Sequence, residues 1–524
     1  MGSTATLPSE LLAEIFKINR ELDAQDKNIL PETLITASAV CRFWREIILN
    51  TPALWSDIWV PFRLLKRLTS ALEWINLWLK RSGSDSCSLR VSIEFNDSFS
   101  VFPVLDCIIS YAKRLRSFRF LAIGDTSLSP DALSARLRNV NAPCLEELDI
   151  HFVGRAQSSN WKHLLIEHPD PTITRGIFSF FASSPKVHTL TLRGVMVPFP
   201  LEQLTSLDLQ NITVIDDRVI RDMAARCPAL NRLALLLVTF TIMSQANVTS
   251  GNTELIYMPS LRTLIIGFDN PIVHSLMDAQ KHVLSFLSAP NLEYMEISGK
   301  GNGYGLNLDL HNVLPDPSTL TSLHSLKLQN VSTFYMSLSG ATRPNAHYFM
   351  SLPCIRHVHL VHTPGEVLGV DLPGAETGVR RSRSGELEQP ATSQRPLARD
   401  VMMGTPRDYA PVILATSHTE RAPESWQHLR SIALETIRAQ DMMWLCQILA
   451  VRPQIQVVSL SRSARRHLSL SLMMHVSVAD GKLRLRMKKP GYTVFLLDSQ
   501  VEGDHGSEIS VEEWIKERVE LRRL

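Results

Sequence analysis

Apolar residues recur at helical spacing in the first fifty residues of the chain. After Pro8, which is tolerated at a helix start, the run from Leu11 to Phe16 predicts one amphipathic helix, and the more polar stretch 17–31 predicts a connection. A second helix is predicted over residues 32–49, because at about 100° per residue its apolar positions fall within an arc of roughly 140°. Those positions are Leu34, Ala37, Val40, Cys41, Trp44, Ile47 and Ile48.

The next segment, residues 63–95, combines one predicted helix with one predicted strand. A helical stripe of apolar residues from Leu68 to Leu79 ends near Gly83, and residues 89–95 alternate between apolar and polar. We interpret this pair as an N-terminal cap that joins the first two helices to the elements that follow.

A pattern with apolar residues at positions 1, 4 and 6 recurs eleven times between residues 115 and 460. Five consecutive copies start at residues 230, 261, 292, 323 and 355, so their separations are 31, 31, 31 and 32 residues. A proline often stands two residues before the first apolar position. Each copy predicts a short strand, because alternate residues of a strand point to the same face.

One such copy cannot bury its own apolar face, whereas stacked copies bury theirs against one another. We therefore expect an α/β repeat fold in which the strands form a parallel sheet and helices or loops return the chain. The first four copies start 30, 42 and 17 residues apart, which predicts an irregular solenoid. The alternative is a non-repeat α/β domain with a doubly wound sheet, and the proline before so many strands argues against it.

Composition excludes several classes of protein. The 524 residues carry a net charge of +2, so neither nucleic acid nor a membrane is expected as a partner. The seven cysteines include no CxxC pair and suit no zinc knuckle, which favours reduced thiols and a cytoplasmic and/or nuclear localisation. The longest apolar stretch, residues 233–243, is too short to span a bilayer.

The N-terminal segment resembles an F-box. The motifs that carry the resemblance follow the family's order, and they are Leu7-Pro8, Glu10-Leu11-Leu12, Ile15-Phe16, Val40-Cys41-Arg42-Phe43-Trp44 and Pro52-Ala53-Leu54-Trp55. The connection over residues 17–33 is longer than is usual in that family. The copies of the 1, 4, 6 pattern, written L-x-x-L-x-L, resemble leucine-rich repeats.

The resemblance implies partners and a function. F-box proteins bind the S-phase-kinase-associated adaptor, which links them to the cullin and RING subunits of an SCF-type ubiquitin ligase. The expected function is therefore the substrate receptor of such a ligase, with the adaptor on the F-box and a protein target on the repeats. The alternative is a leucine-rich-repeat scaffold that acts outside any ubiquitin ligase and uses its first helices only as an internal cap.

Eight residues are candidates for the adaptor contact by motif match. They are Leu7, Pro8, Leu11, Leu12, Ile15, Val40, Cys41 and Trp44. Trp44 is the strongest single candidate because large aromatic side chains dominate many interfaces. Phe16, Ile48 and Trp55 are expected in the core of the chain itself.

The target-binding candidates follow from the strand pattern. If positions 1, 4 and 6 face the core, positions 3, 5 and 7 face the opposite, concave side of the sheet. The candidates there are Arg232, Tyr294, Glu296, Lys327, His357 and His359. This mixture has neither a basic stripe nor an aromatic ladder, so it favours a protein or peptide target over nucleic acid.

Candidate chemistry is sparse. His357 and His359 stand two apart on a predicted strand and share a face, but no third ligand accompanies them, so no metal or cofactor is expected. Gly301–Gly305 lacks the lysine of a phosphate loop, and neither GxSxG nor HExxH occurs. We expect a non-catalytic protein, with an enzyme of unrecognised site as the third class to test.

Composition and pattern together divide the chain into six parts. Residues 374–400 contain almost no large apolar residues, so a disordered insertion is expected around them. A hairpin is predicted around Pro490-Gly491, and Ser510 with Glu513 predicts a capping box. The parts are the F-box at 1–62, the cap at 63–95, the solenoid at 96–363, the insertion at 364–423, the final repeats at 424–475 and the hairpin with a terminal helix at 476–524.

Overall fold

The computed structural model describes most of the chain, with gaps. The described residues are 7–25, 32–83, 88–96, 101–124, 128, 130–153, 181, 184–195, 202–212, 217–237, 255–268, 283–299, 310–332, 334–336, 342–344, 346–368, 426–436, 439–470, 474–479, 482–487, 495–497 and 509–524. In these residues an N-terminal helical region is followed by an α/β region.

The helices of the described residues are mostly short. They are α1 (Ser9–Gln25), α2 (Glu32–Val40), α3 (Arg42–Asn50), α4 (Phe62–Leu65), α5 (Leu68–Arg81), α6 (Phe102–Ile109), α7 (Pro130–Leu137), α8 (Asp217–Arg226), α9 (Leu310–Val313), α10 (Ala346–Met350), α11 (Ala439–Val451), α12 (Arg462–Leu470) and α13 (Val511–Arg518). Short 3-10 helices include Pro52–Trp55 and Gly365–Leu368. Within the described ranges, no helix combines the length and the apolar character needed to cross a membrane.

The strands are short as well. They are β1 (Asp57–Val60), β2 (Leu89–Phe95), β3 (Leu115–Ile123), β4 (Glu147–Val153), β5 (Thr189–Arg193), β6 (Ser206–Gln210), β7 (Arg232–Leu236), β8 (Ile256–Tyr257), β9 (Thr263–Phe268), β10 (Leu287–Ser288), β11 (Tyr294–Gly299), β12 (Ser325–Gln329), β13 (Phe334–Met336), β14 (Thr342–Pro344), β15 (His357–Val361), β16 (Ser431–Leu434), β17 (Val457–Leu460), β18 (Met474–Ala479), β19 (Lys482–Met487), β20 (Phe495–Leu497), β21 (Ile509–Ser510) and β22 (Glu520–Arg523).

One long parallel sheet organises the α/β region. Its fourteen described strands follow chain order, β1-β2-β3-β4-β5-β6-β7-β9-β11-β12-β15-β16-β17-β22. Each of the eleven copies of the apolar pattern forms one of these strands, so the predicted parallel sheet is confirmed. A doubly wound sheet would reverse its strand order at a switch point, and the described strands contain no such reversal.

The two faces of the sheet differ as the pattern predicts. In the copy that starts at Leu292, the side chains of Leu292, Met295 and Ile297 are fully buried, and Tyr294 and Glu296 lie on the other face, half-buried. The register repeats this arrangement on the neighbouring strand, where Ser325 pairs with Tyr294. We call the second face the polar face.

The first helix is longer than the sequence predicts. Residues 17–25, predicted as a connection, continue α1 to Gln25. Arg20 explains part of this extension, because its guanidinium lies 4.7 Å from the centre of the Trp78 ring and donates to the carbonyl of Asp57. A polar segment thus remains helical because it packs on residues distant in the sequence.

The single helix predicted over 32–49 is two helices. Cys41 has an extended backbone with φ of −157°, and its Sγ accepts a hydrogen bond from the Trp44 N–H at 3.4 Å. The thiol therefore acts as the N-cap of α3. Apolar periodicity does not reveal this break, because α2 and α3 both direct their apolar residues, such as Leu34 and Ile48, into one core.

The predicted cap forms as a helix and a strand. Helix α5 ends at Arg81, and Gly83 follows with φ of +79°, a backbone conformation that favours glycine. Strand β2 alternates buried and more exposed residues and pairs with β3 on one side. On its other side β2 pairs with β1, so the sheet begins inside the N-terminal segment.

The structure describes the first five residues of the predicted insertion. Residues 364–368 are described, and the 3-10 helix Gly365–Leu368 buries Val367 and Leu368. This start of the insertion is ordered because the Gly365 N–H donates to the Asp441 carboxylate at 3.0 Å, which ties the segment to α11. Residues 369–423 of the predicted insertion lie outside the described residues.

The C-terminal elements include three strands that the sequence did not predict. β19 pairs with β20 in antiparallel fashion around Pro490-Gly491, which lies outside the described residues. The predicted capping box of Ser510 and Glu513 starts helix α13. The unpredicted strands are β18 and β21, which pair with each other and, through β18, with β19, and β22, which pairs in parallel with β17 and adds a strand to the long sheet.

Candidate functional site

Exposed apolar side chains concentrate in the first fifty residues. Fourteen large apolar residues are exposed in the described part of the chain. Seven of them lie on α1, α2 and α3, and an eighth, Leu7, stands two residues before α1. These eight, which we call the apolar patch, are Leu7, Leu11, Ile15, Ile18, Ile35, Val40, Phe43 and Leu49. An isolated exposed apolar residue is ordinary, whereas such a concentration is more common on surfaces that bind another molecule.

Helix α1 divides its apolar residues between two faces. Leu11, Ile15 and Ile18 recur at helical spacing and are exposed, whereas Leu12 and Phe16 are buried at 2% and 4% exposure. Phe16 was expected in the core. Leu12 is a sequence-based candidate for the adaptor contact, but the structure places it in the core of this chain. It is therefore not part of the apolar patch.

The break between α2 and α3 exposes the next two candidates. Val40 is 61% exposed, and Cys41 is exposed beside it. Trp44 is half-buried, with its ring 5.2 Å from the ring of Phe16 in an edge-to-face arrangement. Trp44 therefore contributes to the core of the N-terminal helices as well as to their surface.

Trp55 connects α3 to α5 in the core of the N-terminal helices. Its indole N–H donates to the carbonyl of Ile48 at 2.8 Å, and both side chains are buried, as the sequence predicts. Its ring also packs edge-to-face on Trp78 of α5, with 4.9 Å between the ring centres. This core fixes α3 and presents the patch on a supported surface.

A groove adjoins the patch between α1 and α3. Its lining residues are Ser9, Glu10, Ala13, Phe43, Glu46, Ile47, Asn50 and Thr51. Sequence reasoning missed this groove and also Ile18, Ile35, Phe43 and Leu49 of the patch. Ile18 had a usable signal, because it lies three residues after Ile15 and seven after Leu11 on a continued helix.

The comparison with known families agrees with this geometry. A family model described as F-box-like matches residues 4–60. The chain therefore carries an F-box-like domain. The matched segment spans α1, α2, α3, the 3-10 helix Pro52–Trp55 and strand β1, so this domain ends inside the long sheet. No curated protein matches the chain.

Beyond the F-box-like domain, four of the six target-binding candidates come together on the polar face. The Tyr294 hydroxyl donates to a Glu296 oxygen at 2.8 Å, and Lys327 Nζ lies 3.0 Å from the other oxygen of Glu296. His359 Nε2, on the next strand, lies 3.1 Å from Glu435 Oε1. Tyr294, Glu296, Lys327 and His359 thus form a row across β11, β12 and β15.

Burial changes the acid–base properties of this row. It raises the pKa of Tyr294 well above its usual range, and the nearby Glu296 carboxylate acts in the same direction. Burial lowers the pKa of His359, although the Glu435 carboxylate acts in the opposite direction. The row therefore carries a neutral phenol, a paired carboxylate and an ammonium, which are suited to hydrogen bonding with a polar ligand.

His357 lies apart from that row. It is exposed at the start of β15, and its Nδ1 lies 2.7 Å from the Ser431 hydroxyl. Burial lowers the pKa of His357, and the nearby His324, Arg356 and Arg430 lower it further. His357 thus belongs to a positively charged end of the strands.

The two histidines do not converge on a metal. His357 contacts a serine and His359 contacts a glutamate, and in the described ranges no group of three His, Cys, Asp or Glu side chains has the arrangement to hold an ion. Gly301–Gly305 lies outside the described residues.

Arg232 belongs to a second polar group, which the sequence did not indicate. Burial raises the pKa of Asp208, and the Arg232 charge opposes this shift. Nearby, Asp149 lies 3.1 Å from Arg119 Nε and 2.6 Å from His151 Nε2. These residues lie on the polar face of earlier strands, and applying the rule for positions 3, 5 and 7 to those copies would have found them.

Proposed function

We propose that this chain is the substrate-recognition subunit of an SCF-type cullin–RING ubiquitin ligase. The F-box-like domain binds the S-phase-kinase-associated adaptor, and through it the cullin and RING subunits. The polar face of the long sheet binds a protein target. The apolar patch on the F-box-like domain is the observation that carries this proposal.

The patch has the composition of a protein-binding surface. Leu11, Ile15 and Val40 remain about half exposed, so burying the rest of each side chain would gain roughly 1 kcal/mol. Leu7, Pro8 and Cys41 extend the same surface, as the family resemblance implies. An adaptor helix laid against this surface would use apolar anchors in the way that helix-in-groove complexes do.

The target-binding part is an irregular leucine-rich-repeat-like solenoid in this proposal. The regular spacing of 31 or 32 residues over five copies and the chain-order parallel sheet support it. Such an array offers a wide surface that can bind one extended protein segment across several strands.

The chain itself performs no chemistry in this proposal and needs no cofactor. It acts by raising the effective concentration of a target near a ubiquitin-carrying enzyme, in the cytoplasm and/or the nucleus. Two histidine–carboxylate pairs lie on the polar face, His151 with Asp149 at 2.6 Å and His359 with Glu435 at 3.1 Å. In the His359–Glu435 pair both side chains are partly exposed, at 29% and 43%, and burial lowers the pKa of His359, which favours a hydrogen bond over an ion pair.

An adaptor-capture experiment tests the proposal. The purified adaptor should be retained by the wild-type chain and lost, by about ten-fold or more, with Leu11→Asp or Val40→Asp, because a buried unpaired carboxylate is costly. Both residues are exposed, so the melting temperature should stay unchanged. Trp44→Ala should also weaken capture, but its contact with Phe16 makes it a less selective variant.

Leu77→Asp is the matched control. Leu77 is 42% exposed on α5, outside the F-box-like match, so this variant should retain the adaptor. A folded wild-type chain that captures no adaptor would favour the scaffold alternative, as would equal capture by wild type and Leu11→Asp. Release of a product from a target without any ligase subunit would favour the enzyme alternative.

A further inference from the structure

Four basic side chains lie together at one end of strands β12, β15 and β16. His324, Arg356 and Arg430 directly precede these strands, and His357 is the first residue of β15. Backbone hydrogen bonds hold them side by side: the N–H groups of Arg356 and His357 donate to the His324 carbonyl at 2.8 and 2.9 Å, and the Arg430 N–H donates to the Arg356 carbonyl at 2.8 Å. We call these four residues the basic cluster.

The arginines of the basic cluster differ from those at equivalent positions on other strands. Arg116 Nε lies 2.8 Å from Glu146, and Arg262 Nη1 lies 2.5 Å from Glu293, so both of these arginines have an acidic neighbour. The two arginines of the basic cluster are exposed and make no ion pair with any carboxylate of the described ranges. The two arginines therefore have no carboxylate partner within that part of the chain, and Glu293, which lies beside His324 on the next strand, is itself paired with Arg262.

Holding these groups together is unfavourable in the absence of an anion. Neighbouring strands lie about 4.8 Å apart, and like charges on adjacent strands repel. The pKa of His357 reflects this repulsion. Burial lowers that pKa, and the positive charges of His324, Arg356 and Arg430 lower it further. A bound anion would remove the repulsion and would gain charge-assisted hydrogen bonds from the guanidinium groups.

The surroundings of the cluster limit the length of such an anion. Ser325 and Ser431 pair with His357 from the two neighbouring strands, and the Ser431 hydroxyl lies 2.7 Å from His357 Nδ1. Further along these strands and their neighbours, the polar face carries the carboxylates Glu296 and Glu435. They would repel a long polyanion such as a nucleic acid backbone, so the cluster suits a short run of negative charge.

We propose that the basic cluster binds an acidic segment of the protein target, one that carries carboxylate or phosphate groups. This inference rests on the proposed function, because it names the part of the target that the receptor binds. Three adjacent strand ends span roughly 10 Å, which corresponds to about three residues of extended peptide. The cluster therefore recognises a short segment of the target in which negative charges are concentrated.

Fluorescence anisotropy on the full chain tests this proposal with three labelled peptide pools. The peptides have degenerate flanks and a central run of glutamate, of phosphoserine or of glutamine. At least one acidic pool should bind about ten-fold or more tightly than the glutamine pool, and the binding should weaken as salt rises. Preference for glutamate or for phosphoserine then identifies the source of the charge.

Variants assign the binding to the cluster. The double variant Arg356→Gln/Arg430→Gln should lose the preference for acidic peptides, whereas Arg356→Lys/Arg430→Lys should retain most of it. Arg116→Gln is the matched control, because Arg116 occupies an equivalent position and is already paired. Thermal melting of each variant verifies that it is folded.

Three results would overturn the proposal. These are equal affinity for all three pools, an undiminished preference in the double glutamine variant, and tighter cluster-dependent binding of a single-stranded RNA or duplex DNA oligonucleotide than of either acidic pool. Adaptor capture is measured separately and should be the same for the double glutamine variant and the wild type. Failure of peptide binding with normal adaptor capture would leave the ligase proposal intact.

Discussion

Two neighbouring leucines illustrate what decides a residue's role. Leu11 is 52% exposed and Leu12 is 2% exposed, although both match the same motif. A helix rotates by about 100° per residue, so adjacent positions face different surroundings. The motif correctly located the segment, and the packing of α1 on α3 decided which of the two leucines is available to a partner.

The structure explains why residue 365 is a glycine, which has no side chain. A Cβ atom at this position would overlap the indole ring of Trp444 on α11. We expect Gly365→Ala to lower the free energy of unfolding by about 1–3 kcal/mol, because overpacking forces neighbouring atoms to shift. Urea denaturation of the two proteins measures the difference.

A second background provides the control for this prediction. In a Trp444→Leu chain the indole is absent, so the additional cost of Gly365→Ala should fall substantially. An equal cost in both backgrounds would contradict the proposed overlap.

The cysteines should differ in reactivity according to their burial. Burial raises the pKa of both Cys227 and Cys446 to about 12, and the thiolate is the reactive form. At a pH near 8 both thiols stay protonated in the folded chain, whereas Cys41 and Cys144 are exposed. We expect iodoacetamide to label Cys41 and Cys144 first.

Mass spectrometry at successive times measures this order. Labelling in urea is the control, because unfolding should remove the difference between the four thiols. Early modification of Cys446 in the folded chain would contradict the burial of α11.

At the scale of elements, short interruptions determine how helices and strands meet. The break at Cys41 separates α2 from α3, and β22 follows α13 to extend the sheet beside β17. The break depends on the extended backbone of Cys41, whereas β22 depends on its pairing with β17. Apolar periodicity predicts where an element of each type lies, but it does not specify where one element turns into the next.

The N-cap at Cys41 leads to a stability prediction. A thiol is a weak acceptor, whereas a serine hydroxyl is among the preferred N-cap groups. Cys41→Ser should therefore raise the free energy of unfolding by about 0.5–1 kcal/mol, and Cys41→Ala should not raise it. Urea denaturation measures both variants, and an alanine variant as stable as the serine variant would show that the side chain does not cap α3.

At the scale of the whole molecule, the F-box-like domain and the long sheet form a continuous structure. β1 lies within the matched residues 4–60 and pairs with β2, which lies outside them. Trp78, also outside the match, contacts both Arg20 and Trp55. The sequence motif thus ends before the structure that supports it does.

This continuity predicts an effect of Trp78 on adaptor binding. Trp78 is 2% exposed, so Trp78→Ala should lower the free energy of unfolding by about 3–5 kcal/mol. It should also reduce adaptor capture, because α1 and the 3-10 helix Pro52–Trp55 lose their shared support. Thermal melting and the capture assay measure the two effects.

Leu77→Ala provides the control on the same helix. Its side chain is exposed, so both stability and capture should stay close to those of the wild type. Normal capture by a Trp78→Ala chain of reduced stability would indicate that the F-box-like domain does not depend on α5.

The sequence by itself determined the identity of the N-terminal motif and the positions of the eleven strands. Apolar residues at positions 1, 4 and 6 fix which side of each strand is buried, because burial of apolar surface is local and follows the strand period. The same rule placed His357 and Glu296 on the polar face. The capping box of Ser510 and Glu513 likewise predicted the start of α13 from the sequence.

Tertiary structure decided the features that depend on contacts between distant residues. The burial of Leu12, the extension of α1 through Arg20 and the pairing of β22 each need a partner far away in the sequence. The basic cluster also exists only because strand register brings Arg356 and Arg430 together, although 74 residues apart by numbering. Charge and burial at such positions follow from neighbours that no local pattern specifies.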